Sequence, residues 1–166
     1  MKKIGVLTSG GDTPGMNSAI RAVFKEAEAR GMDVMGIFHG YKGLIEGRIR
    51  QLTHEDVANV MHKGGTVLRT ARSSEFMQDG GFEKALNILH VYDIDGLIII
   101  DGAGSYRGTK KMYDNVLMTL GLPGPINNDM GITNFTIGIN TAITAHTYEI
   151  YNICHPMHAL HRAGQH

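Results

Sequence analysis

Three short stretches place glycine beside hydroxyl, amide or carboxylate side chains: Ser9-Gly-Gly-Asp-Thr-Pro-Gly15, Asp101-Gly-Ala-Gly-Ser105 and Pro123-Gly-Pro-Ile-Asn-Asn-Asp129. In the first, Gly10 and Gly11 remove side chains at a sharp turn, so a phosphate could approach exposed N–H groups. A plain tight turn with Asp12 as a cap is the alternative, and Pro14 suits a first helical turn. In the second, Gly102 and Gly104 allow close backbone approach, and the Ser105 hydroxyl suits either polyphosphate or a simple N-cap. Asp101 is the only carboxylate of that turn, so Mg²⁺, which prefers carboxylate and water oxygens, would rest on one side chain. In the third, Asn127 and Asn128 could hydrogen-bond a sugar, with Asp129 as the ionisable group near its hydroxyl; an Asx-rich turn without chemistry is the other reading. Arg72, in Thr70-Ala-Arg-Ser73, is either a bidentate phosphate ligand or a solvated surface arginine.

These stretches need a scaffold that presents them together. Residues 3 to 8 read as an apolar strand, and Met16, Ile20, Val23, Phe24 and Ala27 recur at helical spacing behind the first turn. A second strand at 34 to 38 precedes Thr53-His-Glu-Asp56, a capping-box-like start with Val57, Val60 and Met61 behind it and Gly64 as a stop. Residues 66 to 70 make a third candidate strand. Phe82, Ala85, Leu86 and Leu89 form a helical stripe ahead of a buried-looking strand at 97 to 100. A helix over 105 to 117, a strand at 120 to 122, a loop over 123 to 135 and a final helix capped by Asn140 complete the alternation. Strands alternating with helices predict an α/β fold, a three-layer αβα arrangement on a mainly parallel sheet, with ligands beyond the carboxyl ends of the strands.

The composition fits one domain. The chain has 166 residues, 42% of them hydrophobic, and 16 Lys plus Arg balance 16 Asp plus Glu. Even charge gives no reason to expect nucleic acid or an acidic membrane as partner, which leaves a small molecule. One cysteine, Cys154, excludes an internal disulfide, and no apolar run reaches the roughly eighteen residues of a membrane span, so the expected address is cytoplasmic.

The rows Gly5-Val-Leu-Thr-Ser-Gly-Gly-Asp12, Pro14-Gly-Met-Asn17 and Ala19-Ile-Arg21 resemble the ATP-dependent 6-phosphofructokinase family. The likeness runs through Gly40-Tyr41, Gly64-Gly-Thr66, Ala71-Arg72, Glu75-Phe76, Gly104-Ser-Tyr106, Leu122-Pro-Gly124 and Thr136-Ile-Gly138, over residues 1 to 142. It implies a Rossmann-like domain that binds ATP through Gly11, Arg72, Ser73, Gly102, Gly104 and Ser105. The sugar phosphate, fructose 6-phosphate, would meet Pro125, Ile126, Asn127 and Arg162, the last across a subunit interface. Arg21 and Lys25 would belong to an allosteric nucleotide site, and glycine at 104 and 124 resembles the ATP-using branch. The family being tetrameric, a homo-oligomer is implied.

The same resemblance exposes departures. Ala103 stands where the family has the carboxylate that organises Mg²⁺, and Asn127 where it has the general base; an amide cannot accept the sugar hydroxyl proton. Loss of a positioned base costs about 10²- to 10⁴-fold in rate. Asp101 and Asp129 each lie two residues away, and alternate residues of extended chain share a face, which offers a route to compensation. Family members are roughly double in length, with a second, sugar-phosphate domain expected to be absent here. The expectation is therefore an impaired phosphotransferase, or else a non-catalytic nucleotide-binding half-domain. Past residue 142 the likeness fades into a tail with His146, His155, His158, His161, His166 and Cys154, a set that could hold Zn²⁺, Ni²⁺ or Cu²⁺ or be a polar end in which Pro156 interrupts helical spacing.

Overall fold

The computed structural model describes residues 2–61, 63–101, 106–115, 118–124, 126 and 134–163, with the backbone alone described at 79, 106, 107, 145 and 155–163. Five described strands form one sheet in the order β3-β2-β1-β4-β5. They are β1 (Lys3–Thr8), β2 (Asp33–Ile37), β3 (Ile49–Gln51), β4 (Gly96–Asp101) and β5 (Met118–Pro123). β1 pairs in parallel with β2 and β4, and β4 with β5; only β3 runs antiparallel, with Gly36 opposite Arg50. The carboxyl ends of β1, β4 and β5 therefore lie side by side along one edge.

Alternation along the strands builds two cores, one on each sheet face. Ile4, Val6, Ile98 and Ile100 pack on α1 (Met16–Ala29) through Met16, Ile20 and Phe24. Leu7, Leu97 and Ile99 face the other way, against Leu44 of α2 (Gly40–Ile45), Phe82 and Leu89 of α4 (Asp79–Val91) and Met112 of α5 (Tyr106–Asp114). The result is the expected three-layer α/β sandwich on a mostly parallel, mixed sheet. At the centre, Gly5 leaves room for its neighbours: a Cβ there would stand 3.0 Å from Leu97 Cδ1. The terminal strands differ, since β5 leaves Met118 and Leu120 largely exposed, whereas β3 exposes Arg50 and Gln51.

Several local expectations are corrected. Residues 66 to 70 are not a strand: Arg69 N donates to Thr66 O at 3.1 Å in a turn, and Arg69 has left-handed φ of 59°. The place beside β2 is taken instead by β3, whose short polar run carries little alternation signal. The Thr53 start is correct, with Thr53 N donating to Asp56 Oδ2 at 2.8 Å, but α3 (His54–Val57) ends after four residues where Ala58 becomes extended. α1 begins at Met16, after Gly15 with φ of 95°, and no side chain caps it; Pro14 lies ahead of the helix and Asp12 is not its cap. α5 and β5 match with shifted ends. The last helix, α6 (Ile137–Ala163), begins three residues before Asn140, and its helical backbone carries through Pro156. A proline there removes one amide donor, and the rest of the ladder holds the helix.

Candidate functional site

β1 delivers Thr8 to the sheet edge, and Thr8 is fully buried there. Its Oγ1 donates to Arg69 O at 3.0 Å and lies 3.0 Å from Thr66 Oγ1. From α1, Asn17, 2% exposed, donates Nδ2 to Lys63 O at 3.0 Å and accepts Val67 N on Oδ1 at 2.8 Å. Two buried polar side chains thus pin the turn over 63–69 to the first strand and helix. Arg72 follows three residues later and is thereby held beside the first glycine loop.

The described ends of β1, β4 and β5 are tied to one another. Ser9 N donates to Ile100 O at 3.0 Å, Gly124 N to Asp101 O at 2.9 Å, and Thr13 Oγ1 to Gly124 O at 2.9 Å. Beside this junction lies a cleft of about 550 Å³, lined by Gly10, Gly11, Arg72 and Ser73 on one side and Tyr41, Phe76 and Gly108 on another. Gly10 has φ of 83°, a backbone that only glycine adopts freely. A Cβ built on Gly11 would meet nothing within 4 Å, so that glycine faces open space. The Tyr41 and Phe76 rings stack with centroids 4.1 Å apart and planes 19° from parallel. Tyr41 OH lies 3.4 Å from Thr109 Oγ1, and burial raises the phenol pKa above its ordinary value, the Thr109 hydrogen bond opposing and the Asp101 charge adding.

Of the predicted residues, Gly11, Arg72 and Ser73 come together at this cleft. The Ser73 hydroxyl accepts Phe76 N at 3.3 Å and so shapes the turn carrying the aromatic wall. Asp101 is buried at the end of β4, and Ile126 is exposed. Gly102, Ala103, Gly104, Ser105, Pro125, Asn127, Asn128 and Asp129 lie outside the described residues, as does the Arg162 side chain. Arg21 and Lys25 stand apart from the cleft, toward α3: Arg21 donates to Val57 O at 3.2 Å, and Lys25 pairs with Glu28 at 3.1 Å. In the tail, His146 Nδ1 hydrogen-bonds Ala142 O at 2.9 Å and Cys154 is exposed, while the side chains from 155 onward lie outside the described residues.

Sequence reasoning missed the Tyr41–Phe76 wall and the supports Thr8, Asn17 and Thr66. The available signals were Gly40-Tyr41 and Glu75-Phe76 within the family likeness; in the structure Gly40 has φ of 60° and a Cβ there would stand 2.8 Å from Thr8 O.

The cleft suits a nucleotide: open N–H groups and a guanidinium for phosphates, and an aromatic wall for a base. Mg²⁺ fits less well. Among the described residues no three His, Cys, Asp or Glu gather to hold a metal ion, and Asp101 is 5% exposed, which leaves little room for the waters Mg²⁺ keeps.

Residues 3–164 match the family model described as Phosphofructokinase. The ATP-dependent 6-phosphofructokinase of Alkaliphilus metalliredigens is 50% identical over 143 residues, 86% of this chain and 45% of that protein. That of Clostridium tetani is 48% identical over 143 residues, 86% of this chain and 45% of that protein. The chain thus spans less than half the length of these curated relatives. Among solved structures, phosphofructokinase from Saccharomyces cerevisiae superposes with a TM-score of 0.81 at 34% identity, over 94% of this chain and 24% of that one. The T-state enzyme of Pichia pastoris gives 0.80 at 36% identity, over 83% and 18%. With the motif rows, the sheet order and the glycine-lined cleft in agreement with these matches, the chain belongs to the phosphofructokinase family.

Proposed function

We propose that this chain is the nucleotide-binding domain of an ATP-dependent 6-phosphofructokinase, acting in glycolysis and in the cytoplasm. The observation that carries the reading is the cleft in which Gly10, Gly11 and Arg72 face the Tyr41–Phe76 wall. The triphosphate lies along the glycine backbone, its oxygens on Arg72, and the base lies against the aromatic wall. By the family resemblance, Gly102, Gly104 and Ser105, which follow β4 in sequence, would add to the phosphate site.

In the reaction of this class, the bond between the γ-phosphorus and the bridging oxygen of ATP breaks. A new bond forms to the hydroxyl oxygen of fructose 6-phosphate, and the hydroxyl proton departs, giving ADP and fructose 1,6-bisphosphate. Pro125, Ile126 and Asn127 would meet the sugar phosphate, with Arg162 contributed to a neighbouring copy in a homo-oligomer. Mg²⁺ bound to the ATP phosphates would supply charge stabilisation there, with Asp101 the carboxylate of the second loop that could approach it. At the position where a base should receive the proton, Asn127 offers an amide, and Asp129 is the nearest carboxylate in sequence. Arg21 and Lys25 would serve an effector nucleotide.

A second reading, nucleotide binding without turnover, is favoured by Ala103 and Asn127 at positions where the resemblance implies carboxylates. One experiment separates the readings. Calorimetric titration with ATP and Mg²⁺ is followed by addition of fructose 6-phosphate and assay of fructose 1,6-bisphosphate. Saturable ATP binding, weakened roughly 10-fold or more in Arg72→Ala, is expected. Binding without product selects the second reading, and absence of binding overturns both.

A further inference from the structure

A second cleft, of about 450 Å³, shares no lining residue with the first. Its position follows from the antiparallel edge: Phe38 N donates to Arg48 O at 3.0 Å, and His39 N to Leu68 O at 2.8 Å. These bonds bring the end of β2, the start of β3 and the turn at 66–70 to one place. His39, Arg48, Arg50 and Arg69 line the cleft over an apolar floor that includes Phe38 and Ile49, and no Asp or Glu lines it.

The four basic side chains are not equivalent. Arg50 is committed, with bonds of 2.7 and 2.6 Å to the two oxygens of Asp56, and its guanidinium lies 4.9 Å from the Phe38 ring centre. It forms a fixed, flat wall. Arg48 meets Glu46 through Nε at 2.6 Å, and the side chain is 52% exposed. Neither Arg69 nor His39 forms a side-chain hydrogen bond or ion pair among the described residues.

Backbone conformation singles out the same two positions. Four described non-glycine residues have left-handed φ: His39 at 65°, Asn59 at 52°, Arg69 at 59° and Asp93 at 54°. Asn and Asp adopt this conformation readily and His tolerates it, whereas an arginine gains nothing from it locally. Residues held in sparsely populated backbone and aimed into a cleft mark sites where the side chain is needed.

We infer that this cleft binds the phosphate group of a small organic phosphate, gripped by Arg48 and Arg69 with His39 alongside. Guanidinium forks match phosphate oxygens bidentately, and the apolar floor takes the organic body. The chain's zero formal charge favours a small molecule over a nucleic-acid backbone. This inference does not depend on what fills the first cleft.

The test is amide NMR perturbation of the ¹⁵N-labelled 166-residue chain, titrated with glycerol 3-phosphate and, separately, inorganic phosphate at fixed ionic strength. Saturable shifts of the amides at 39, 48 and 69 are expected, with glycerol 3-phosphate the tighter ligand. Arg69→Asn, which suits the left-handed backbone, should weaken binding roughly 10-fold or more, while Arg72→Asn should not alter it. Arg48→Gln carries the same expectation as Arg69→Asn should the latter misfold. Shifts with inorganic phosphate alone would reduce the cleft to a free-ion site and overturn the proposal. So would unsaturable shifts, or equal weakening in the Arg69 and Arg72 variants.

Discussion

Gly108 of α5 stands flush against the Tyr41 ring, so that a Cβ built on it would lie 2.9 Å from both Cζ and the hydroxyl oxygen. The helix is close enough for Tyr41 to reach Thr109, and the aromatic wall of the larger cleft is held from behind by a residue with no side chain. Gly108→Ala should displace the ring or the helix, costing about 1–3 kcal/mol by chemical denaturation. ATP affinity should fall with it. An alanine variant of unchanged stability would mean that α5 shifts freely.

Asn17 makes the reciprocal pair of bonds that fixes the turn at 63–69. Asn17→Ala leaves Val67 N without its acceptor inside the protein, and should cost about 1–3 kcal/mol. Urea unfolding measures the loss, and proteolysis near Lys63 should accelerate more than cleavage elsewhere.

Asp56 links acid stability to the β3 edge. The Arg50 guanidinium, foremost, and the Thr53 bonds hold its carboxyl well below the ordinary value of 3.8. For a carboxylate whose folded pKa is depressed, the stabilisation is present above the unfolded pKa and is lost as pH falls through the folded one. Asp56→Asn should therefore lower Tm at neutral pH, and the gap to the parent should narrow steadily as pH drops below 3.8. The effect is small, since Arg50 is 52% exposed and its pairing is screened by solvent. A gap constant from neutral pH to acid would show that Asp56 acts through helix capping geometry alone.

Restoring acids at two positions tests how far the sequence departures limit chemistry. Ala103→Asp combined with Asn127→Asp should raise fructose 1,6-bisphosphate formation by about 10²-fold or more over the parent chain, since a positioned base contributes about that much. ATP affinity measured alongside should change little. No gain in product, with ATP still bound, would place the limitation elsewhere in the chain.

The sequence made some of this structure legible and not the rest, for physical reasons. The β1 and β4 runs were readable because strands buried on both faces show as short continuous apolar runs, and the α1 stripe because burial of one helix face imposes a period of 3.6. β3 was not, because three residues on an edge bury too little to impose a pattern. Val67 and Leu68 misled in the opposite sense: Leu68 is fully buried, but as the inner side of a turn rather than a strand. At the cleft, Gly11 was legible as a glycine just past a strand end and Arg72 through its residue type alone, since the strand expected before it is a turn. Tyr41 and Phe76 were not, since an aromatic that lines a cleft and one that fills a core look alike until the chain is folded.

The two edges of the sheet also differ in what they can recruit. β3 is short, antiparallel and charged, and presents guanidinium and amide groups where another strand would have to dock. β5 presents Met118 and Leu120 beside a row of backbone groups facing away from β4. Strand addition is discouraged by short, charged edges and permitted by longer apolar ones. Among the described residues the sheet thus has a growth polarity: a new strand would meet apolar side chains on the β5 side and charged or amide ones on the β3 side.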